Sequence, residues 1–252
     1  MTRSEQMAKD MLADSIWKSA GIEGLGTTYP ATYAILHNIP ATATRDEVLF
    51  IINMDRAWKF VFDSYSCDLD LPYLRTLNSL VLEGFNVAGA GDIRNYPVRI
   101  TGTNWIPDTP SLNEVQDNLK QLREIEDPVT QSIETFLYVS RTKMFGDGNK
   151  RVAQLACNKV LLQRDAGMLS IAYDHIQEFM ELLVEYYESC NSEDIVKFLL
   201  LYAYYPNSEY IEADMQKYGV SKDDVLTIVP ELQKNTVGFW QYWEIYKRSV
   251  LR

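Results

Sequence analysis

Lys143-Met144-Phe145-Gly146-Asp147-Gly148-Asn149-Lys150-Arg151 is the stretch on which the reading of this chain turns. Two glycines within three residues allow backbone conformations that a side chain forbids, so the segment reads as a tight turn. Beyond it, Val152, Leu155, Ala156 and Leu161 fall at helical spacing, which predicts a helix over 149–164 opening directly from the turn. The first N–H groups of a helix have no carbonyl one turn earlier and carry partial positive charge, which suits a phosphate. Asp147 is of the type that holds Mg²⁺, an ion usually bound by one or two carboxylates plus phosphate oxygens. Lys150 and Arg151, in the first helical turn, offer charge-assisted contacts. A glycine turn is also a common connector between helices, so the same residues leave a plain turn with a solvated aspartate as the alternative.

Helical signals continue in both directions. Asp127-Pro128 reads as an N-cap with a first-turn proline, starting a helix to about 143 that buries Ile133, Phe136 and Leu137. Earlier helices are predicted over 3–20, with Met7, Met11, Leu12 and Ile16 on one face, over 29–38, over 45–62 capped by Thr44, and over 71–83. Ser111 and Glu114 have capping-box spacing ahead of the run LNEVQDNLKQL. Downstream, helices are expected over 173–189 and 193–205, then shorter ones in the tail, one capped by Ser221. The aromatic segment FWQYWEIY, with Trp240 and Trp243, reads as packing. The strand signal is confined to PVRITGTNWIP, residues 97–107, where Val98 and Ile100 alternate with more polar residues; it reads as a short hairpin. The expected fold is therefore all-α, mainly helical, with one small β-hairpin. It divides into an N-terminal helical segment (1–40), a core (41–190) and a C-terminal helical extension (191–252).

Composition narrows the function. With 252 residues, 46% hydrophobic, the chain can bury a substantial core. Its 24 Lys and Arg against 35 Asp and Glu give a formal charge of −11, which repels phosphodiester backbones, so a nucleic-acid partner is not expected. A single nucleotide needs only a few local donors. Cys67, Cys157 and Cys190 are widely spaced with no metal-ligand pattern, as in reduced cytosolic proteins, and Cys157 falls on an apolar helical face. His175, near a helix start, reads as surface or capping. The first residues show no signal peptide, and the apolar run IVKFLLLYAYY is too short to span a bilayer. A cytoplasmic protein without a membrane partner is expected.

The turn also resembles the Fic motif HPFx(D/E)GNGRxxR, matching it at Phe145, Asp147, Gly148, Asn149 and Arg151. AGDIRNYPVRITG, residues 90–102, resembles the PGxYR…VxI segment that leads into the Fic hairpin called the flap. Ser19, Glu23 and Gly24 match the (S/T)xxxE(G/N) inhibitory motif of one Fic class. The three segments occur in the family's order and together span roughly residues 10–190. The resemblance implies a helical Fic (Fido) domain that transfers AMP, or another phosphate-containing moiety, from a nucleotide to a target hydroxyl. It implies ATP and Mg²⁺ as cofactors, with Asp147 as metal ligand and Gly146, Gly148, Asn149, Lys150 and Arg151 as phosphate cradle. Ile100, Thr101, Gly102 and Thr103 would be flap residues that align a protein target, and Ser19 and Glu23 the inhibitory element. A homodimer is left open.

The departures from the motif fall where the chemistry is decided. The family's general base is a His; here Lys143 stands there, and a lysine with an ordinary pKa of ~10.4 has no lone pair for a proton at neutral pH. Lys150 replaces a glycine. Gln154 replaces the second arginine, so Glu23 loses its usual partner, with Lys150 or Arg151 as substitutes. Three readings follow: a divergent, weak transferase; a non-catalytic Fic-fold module that binds a nucleotide or a protein; and a structural protein with an empty site.

Overall fold

A computed structural model describes residues 1–221 together with 224, 243, 247 and 248. Eleven α-helices are found among the described residues. They are α1 (Arg3–Asp10), α2 (Leu12–Ile22), α3 (Tyr29–Leu36), α4 (Arg45–Ser64), α5 (Leu71–Leu82) and α6 (Leu112–Arg123). The series continues with α7 (Pro128–Thr142), α8 (Asn149–Gln163), α9 (Ile176–Ser189), α10 (Glu193–Tyr202) and α11 (Ser208–Lys217).

Local chemistry accounts for most helix starts. Thr44 and Glu47 form a complete capping box at α4, and the side chains of Asp70 and Asp127 accept from the third residue after each, ahead of a first-turn proline. Ser111 is different. It precedes α6 as expected, but its side chain makes no capping hydrogen bond, so the expected box is absent there. The predicted first helix is broken at Met11 into α1 and α2. Ser221 and Asp224 exchange side-chain and backbone hydrogen bonds as an N-cap pair does; the helix they would open, and Trp240, lie outside the described residues.

The core is built around α8, which is buried on nearly every side and packs against α7, α5 and α4. One buried apolar cluster runs from Ala8 to Tyr204 and includes Cys157, while Ile211, Met215 and Trp243 form a second, small one. Trp243 is fully buried, as packing predicts.

The small sheet lies elsewhere than the sequence pattern placed it. β1 (Gly167–Leu169) and β2 (Tyr204–Pro206) pair antiparallel, with Met168 opposite Tyr205. Residues 97–107 form no paired strands, so the expected hairpin is corrected to an irregular segment with a turn at 101–102. The alternation of Val98 and Ile100 is real, but both side chains turn toward a cavity walled by α9 instead of into a ladder. The returning half cannot pair: Thr103 is engaged with Glu188 of α9, and Pro107 has no N–H to donate.

Candidate functional site

The turn between α7 and α8 is over-determined. Lys143 ends α7 in the left-handed region (φ 47°) and Gly148 precedes α8 with φ 77°. A Cβ on Gly148 would lie 3.0 Å from the Asn78 amide nitrogen and 3.2 Å from Val81, so glycine is required by both backbone and space. Between these points Asn149 reaches back: its side-chain oxygen accepts from the Phe145 N–H (3.0 Å) and its amide donates to the Phe145 carbonyl (2.8 Å). Asn78 donates to the Asp147 carbonyl (2.8 Å), and the Asp147 carboxylate accepts from the Gly148 N–H (2.6 Å) and the Arg151 guanidinium (3.2 Å).

A cavity of about 260 Å³ opens at this helix start. Lys143, Phe145 and residues 146–150 form its floor, Val98 to Thr101 one wall, Met180, Leu183, Val184 and Tyr187 of α9 another, and Glu23 its rim. Of the residues expected in the site, the structure thus gathers Glu23, Ile100, Thr101, Lys143, Gly146, Asp147, Gly148, Asn149 and Lys150. Glu23 caps α2, and its carboxylate lies 3.8 Å from the Lys150 ammonium, which also donates to the Ile22 carbonyl (3.1 Å). The substitute pairing expected for Glu23 is therefore with Lys150.

Four expected members are not in the cavity. Arg151 is buried, donating to the Val81 carbonyl (3.1 Å) between the rings of Phe50 and Phe85; it ties α8 to α5. Ser19 is buried within α2, its hydroxyl without a hydrogen-bond partner. Gly102 and Thr103 lie past the wall at the tip of the segment, where Thr103 donates to the Glu188 carboxylate. Asn149 lines the cavity, but both ends of its amide are spent on Phe145.

Lys143 is strongly altered by its surroundings. Its ammonium lies over the Tyr187 ring, 4.7 Å from the centroid, and among the described residues it makes no ion pair or hydrogen bond. Burial pushes its pKa down to about 8, helped by the neighbouring Lys150 and opposed by Glu23 and Asp147. The same burial pushes the Tyr187 hydroxyl up. For a metal, Asp147 can supply a single, half-exposed carboxylate, and no group of three His, Cys, Asp or Glu side chains that could hold an ion occurs among the described residues.

Arg94 is a residue that the sequence reading passed over as a site member. It is 3% exposed, and its guanidinium donates to the carbonyls of Lys143 (2.5 Å), Tyr96 (2.8 Å), Asp108 (2.5 Å) and, more weakly, Pro107 (3.4 Å). Its own N–H donates to the Met144 carbonyl (3.0 Å), beside the bridge from Ile93 to Phe145. It clamps the stem of the 96–108 segment onto the turn. The available signal was its place in AGDIRNYPVRITG, three residues ahead of a proline that stops regular pairing.

The overall arrangement of helices recurs in solved structures. Fic-1 from C. elegans superposes with a TM-score of 0.65 over 84% of this chain and 64% of that one, at 19% identity. The chain has the Fic fold. A Fic-domain-containing signaling protein from Bacteroides thetaiotaomicron is similar over 71% of this chain and 72% of that one (TM-score 0.62, 20% identity). A Fic family protein from Desulfovibrio desulfuricans is similar over 77% and 62% (TM-score 0.63, 16% identity). The chain spans somewhat under two thirds of the length of the C. elegans structure. No protein-family model matches the chain, and no curated protein does. No helix among the described residues is long and apolar enough to cross a membrane.

Proposed function

We propose that this Fic-fold protein binds the phosphates of a nucleotide at the start of α8 and transfers AMP to protein hydroxyls weakly or not at all. The observation that carries the reading is the pair of cations, Lys143 and Lys150, lining one cavity at a helix N-terminus that a glycine holds open. Phosphate oxygens would take the place of the missing partner of Lys143. Mg²⁺ fits as an ion held mainly by the nucleotide, with Asp147 as its single protein ligand; it would neutralise phosphate charge. Glu23 opposes binding, because its carboxylate already holds Lys150 and repels an incoming phosphate.

Transfer is weak on this reading for a chemical reason. With a pKa near 8, most Lys143 is protonated at pH 7, and a bound phosphate raises that fraction. A protonated amine does not take the proton of a target hydroxyl. Gln154 adds to the deficit: its amide donates to the Lys150 carbonyl (3.3 Å) and it does not line the cavity.

Calorimetry with Mg-ATP tests the binding. Wild type should give saturable heat, Lys150→Ala at least ~10-fold weaker binding, and Glu23→Gly tighter binding. Arg151→Ala is unsuitable as a control, since it would disturb the fold. Labelled ATP with mass spectrometry tests the chemistry: Lys143→His with Gln154→Arg should exceed both single changes in self-modification. Equal heats from wild type and Lys150→Ala would remove the binding reading, and robust transfer by the wild type would replace it with a divergent enzyme.

A further inference from the structure

At the opposite end of α8, Lys159 is a buried charge without a counter-ion. The residue is 1% exposed, and among the described residues its ammonium has a single hydrogen bond, to the neutral side-chain oxygen of Gln163 (2.6 Å). An ammonium has three N–H donors, and a buried charge is costly unless paired. A cavity of about 370 Å³ opens onto it. Arg123, from the end of α6, and Arg164, just past α8, line the same cavity, as does the Gln131 amide; Asp68 is its one carboxylate, and it lies beyond ion-pair distance of Lys159. Among the described residues each guanidinium donates to one carbonyl, Arg123 to Leu69 (2.7 Å) and Arg164 to Glu126 (3.3 Å), so most of their five donors remain for a ligand.

We infer that this cavity is a second anion site, taking a phosphate-type oxyanion, free or as the monoester of a small molecule. Three cationic side chains from separate points around the cavity suit the several oxygens of a phosphate better than the two of a carboxylate. Burial pushes Lys159 down to about 8 despite Asp68, Asp70 and Cys67, which act to raise it, and Arg123 adds to the lowering. A bound dianion reverses that balance. In a chain of net charge −11, such a concentration of donors is a local exception. The site shares no lining residue with the cavity at the start of α8 and does not depend on the function proposed for it.

The test is calorimetry of the full chain with inorganic phosphate, and in a second arm glycerol 3-phosphate, against sodium chloride of equal ionic strength. Wild type should bind phosphate, with affinity at least ~10-fold lower in Lys159→Met and Arg123→Gln and unchanged in Lys197→Ala, an exposed lysine of α10 that lines neither cavity. Tighter binding of the monoester would identify a phosphorylated small molecule as the ligand, and tighter binding of phosphate the free ion. Should Lys159→Met not fold, Arg123→Gln and Arg164→Gln, both at exposed positions, decide the matter. No phosphate heat beyond the chloride control overturns the inference. So does heat that survives these changes and disappears in Lys150→Ala, which would assign it to the other end of the helix.

Discussion

The turn before α8 and the segment that faces it across the cavity are held by opposite means. In the turn, nearly every polar group is claimed by a neighbour in sequence or on α5: Asn149 holds Phe145, Asp147 holds Gly148 and Arg151, and Asn78 holds Asp147. The facing segment has no ladder. It is fixed at its stem by Arg94, and at its tip by the Thr103–Glu188 hydrogen bond and by Trp105, which stacks on Tyr187 beneath the Arg141 guanidinium. A rigid floor and a wall fastened at points can accept ligands of different bulk without moving the charges that select them.

The strongest challenge to this contrast is to cut the side-chain clamp between the two regions, leaving the backbone bond from Arg94 to Met144 in place. Arg94→Ala removes a buried guanidinium that serves four backbone carbonyls, and a loss of ~3 kcal/mol or more is expected from the hydrogen bonds to a charged donor. Arg94→Lys should recover little, because a point charge cannot reproduce the planar fork. Urea unfolding of both variants measures this; a loss below ~1 kcal/mol for Arg94→Ala would mean that the wall is held elsewhere.

Within the turn, Asn149→Ala breaks both bonds to Phe145 and leaves a buried N–H and carbonyl without partners, a cost of ~2–4 kcal/mol. The expected signature distinguishes structure from ligand contact. Nucleotide binding by the fraction that remains folded should change far less in Asn149→Ala than in Lys150→Ala.

This division explains what the sequence made legible. Helix starts follow from one or two residues in contact along the chain, so Thr44 and Asp127 could be read as caps, and the turn was recognisable from Gly146 to Arg151. The roles inside the turn were less so. Whether Asn149 and Arg151 face a ligand or the protein depends on where α5 lies, and nothing in residues 143–151 records that. The supposed hairpin failed for the same reason: alternation at Val98 and Ile100 states that one side is covered, not that a strand covers it. Burial of Lys143 and Lys159, which sets their charge, also arises from distant segments.

Those two lysines give a prediction of intermediate size. Both have folded pKa values lowered to about 8, so the unfolded chain holds their protons more tightly than the folded one. The strain of keeping them charged is present in full below pH 8 and is relieved as pH rises toward the unfolded value near ~10.4. Stability should therefore rise between about pH 8 and 10. Above that range the buried tyrosines reverse the trend: Tyr73 is pushed up to about 12, and unfolded tyrosines ionise first. Thermal unfolding across this window should show the rise in wild type and a flatter profile in Lys143→Met and Lys159→Met. A wild-type midpoint that falls steadily from pH 8 to 10 would contradict it.

The smallest effect is expected at the tip of the wall, and it bears most directly on function. Thr103 donates to Glu188, an exposed residue, and accepts from the Trp105 N–H (3.0 Å). An exposed hydrogen bond of this kind contributes little to global stability, so Thr103→Ala should cost no more than ~0.5–1.5 kcal/mol. Its effect should instead be local. Backbone amides of residues 98–105 should exchange faster with solvent while those of 145–151 keep their rates, because the floor does not share the bond. If the wall serves to seat a protein segment, releasing its tip should weaken that interaction and leave Mg-ATP heat unchanged. Faster exchange spreading into the turn would show that floor and wall move as one body, and the contrast drawn between them would have to be given up.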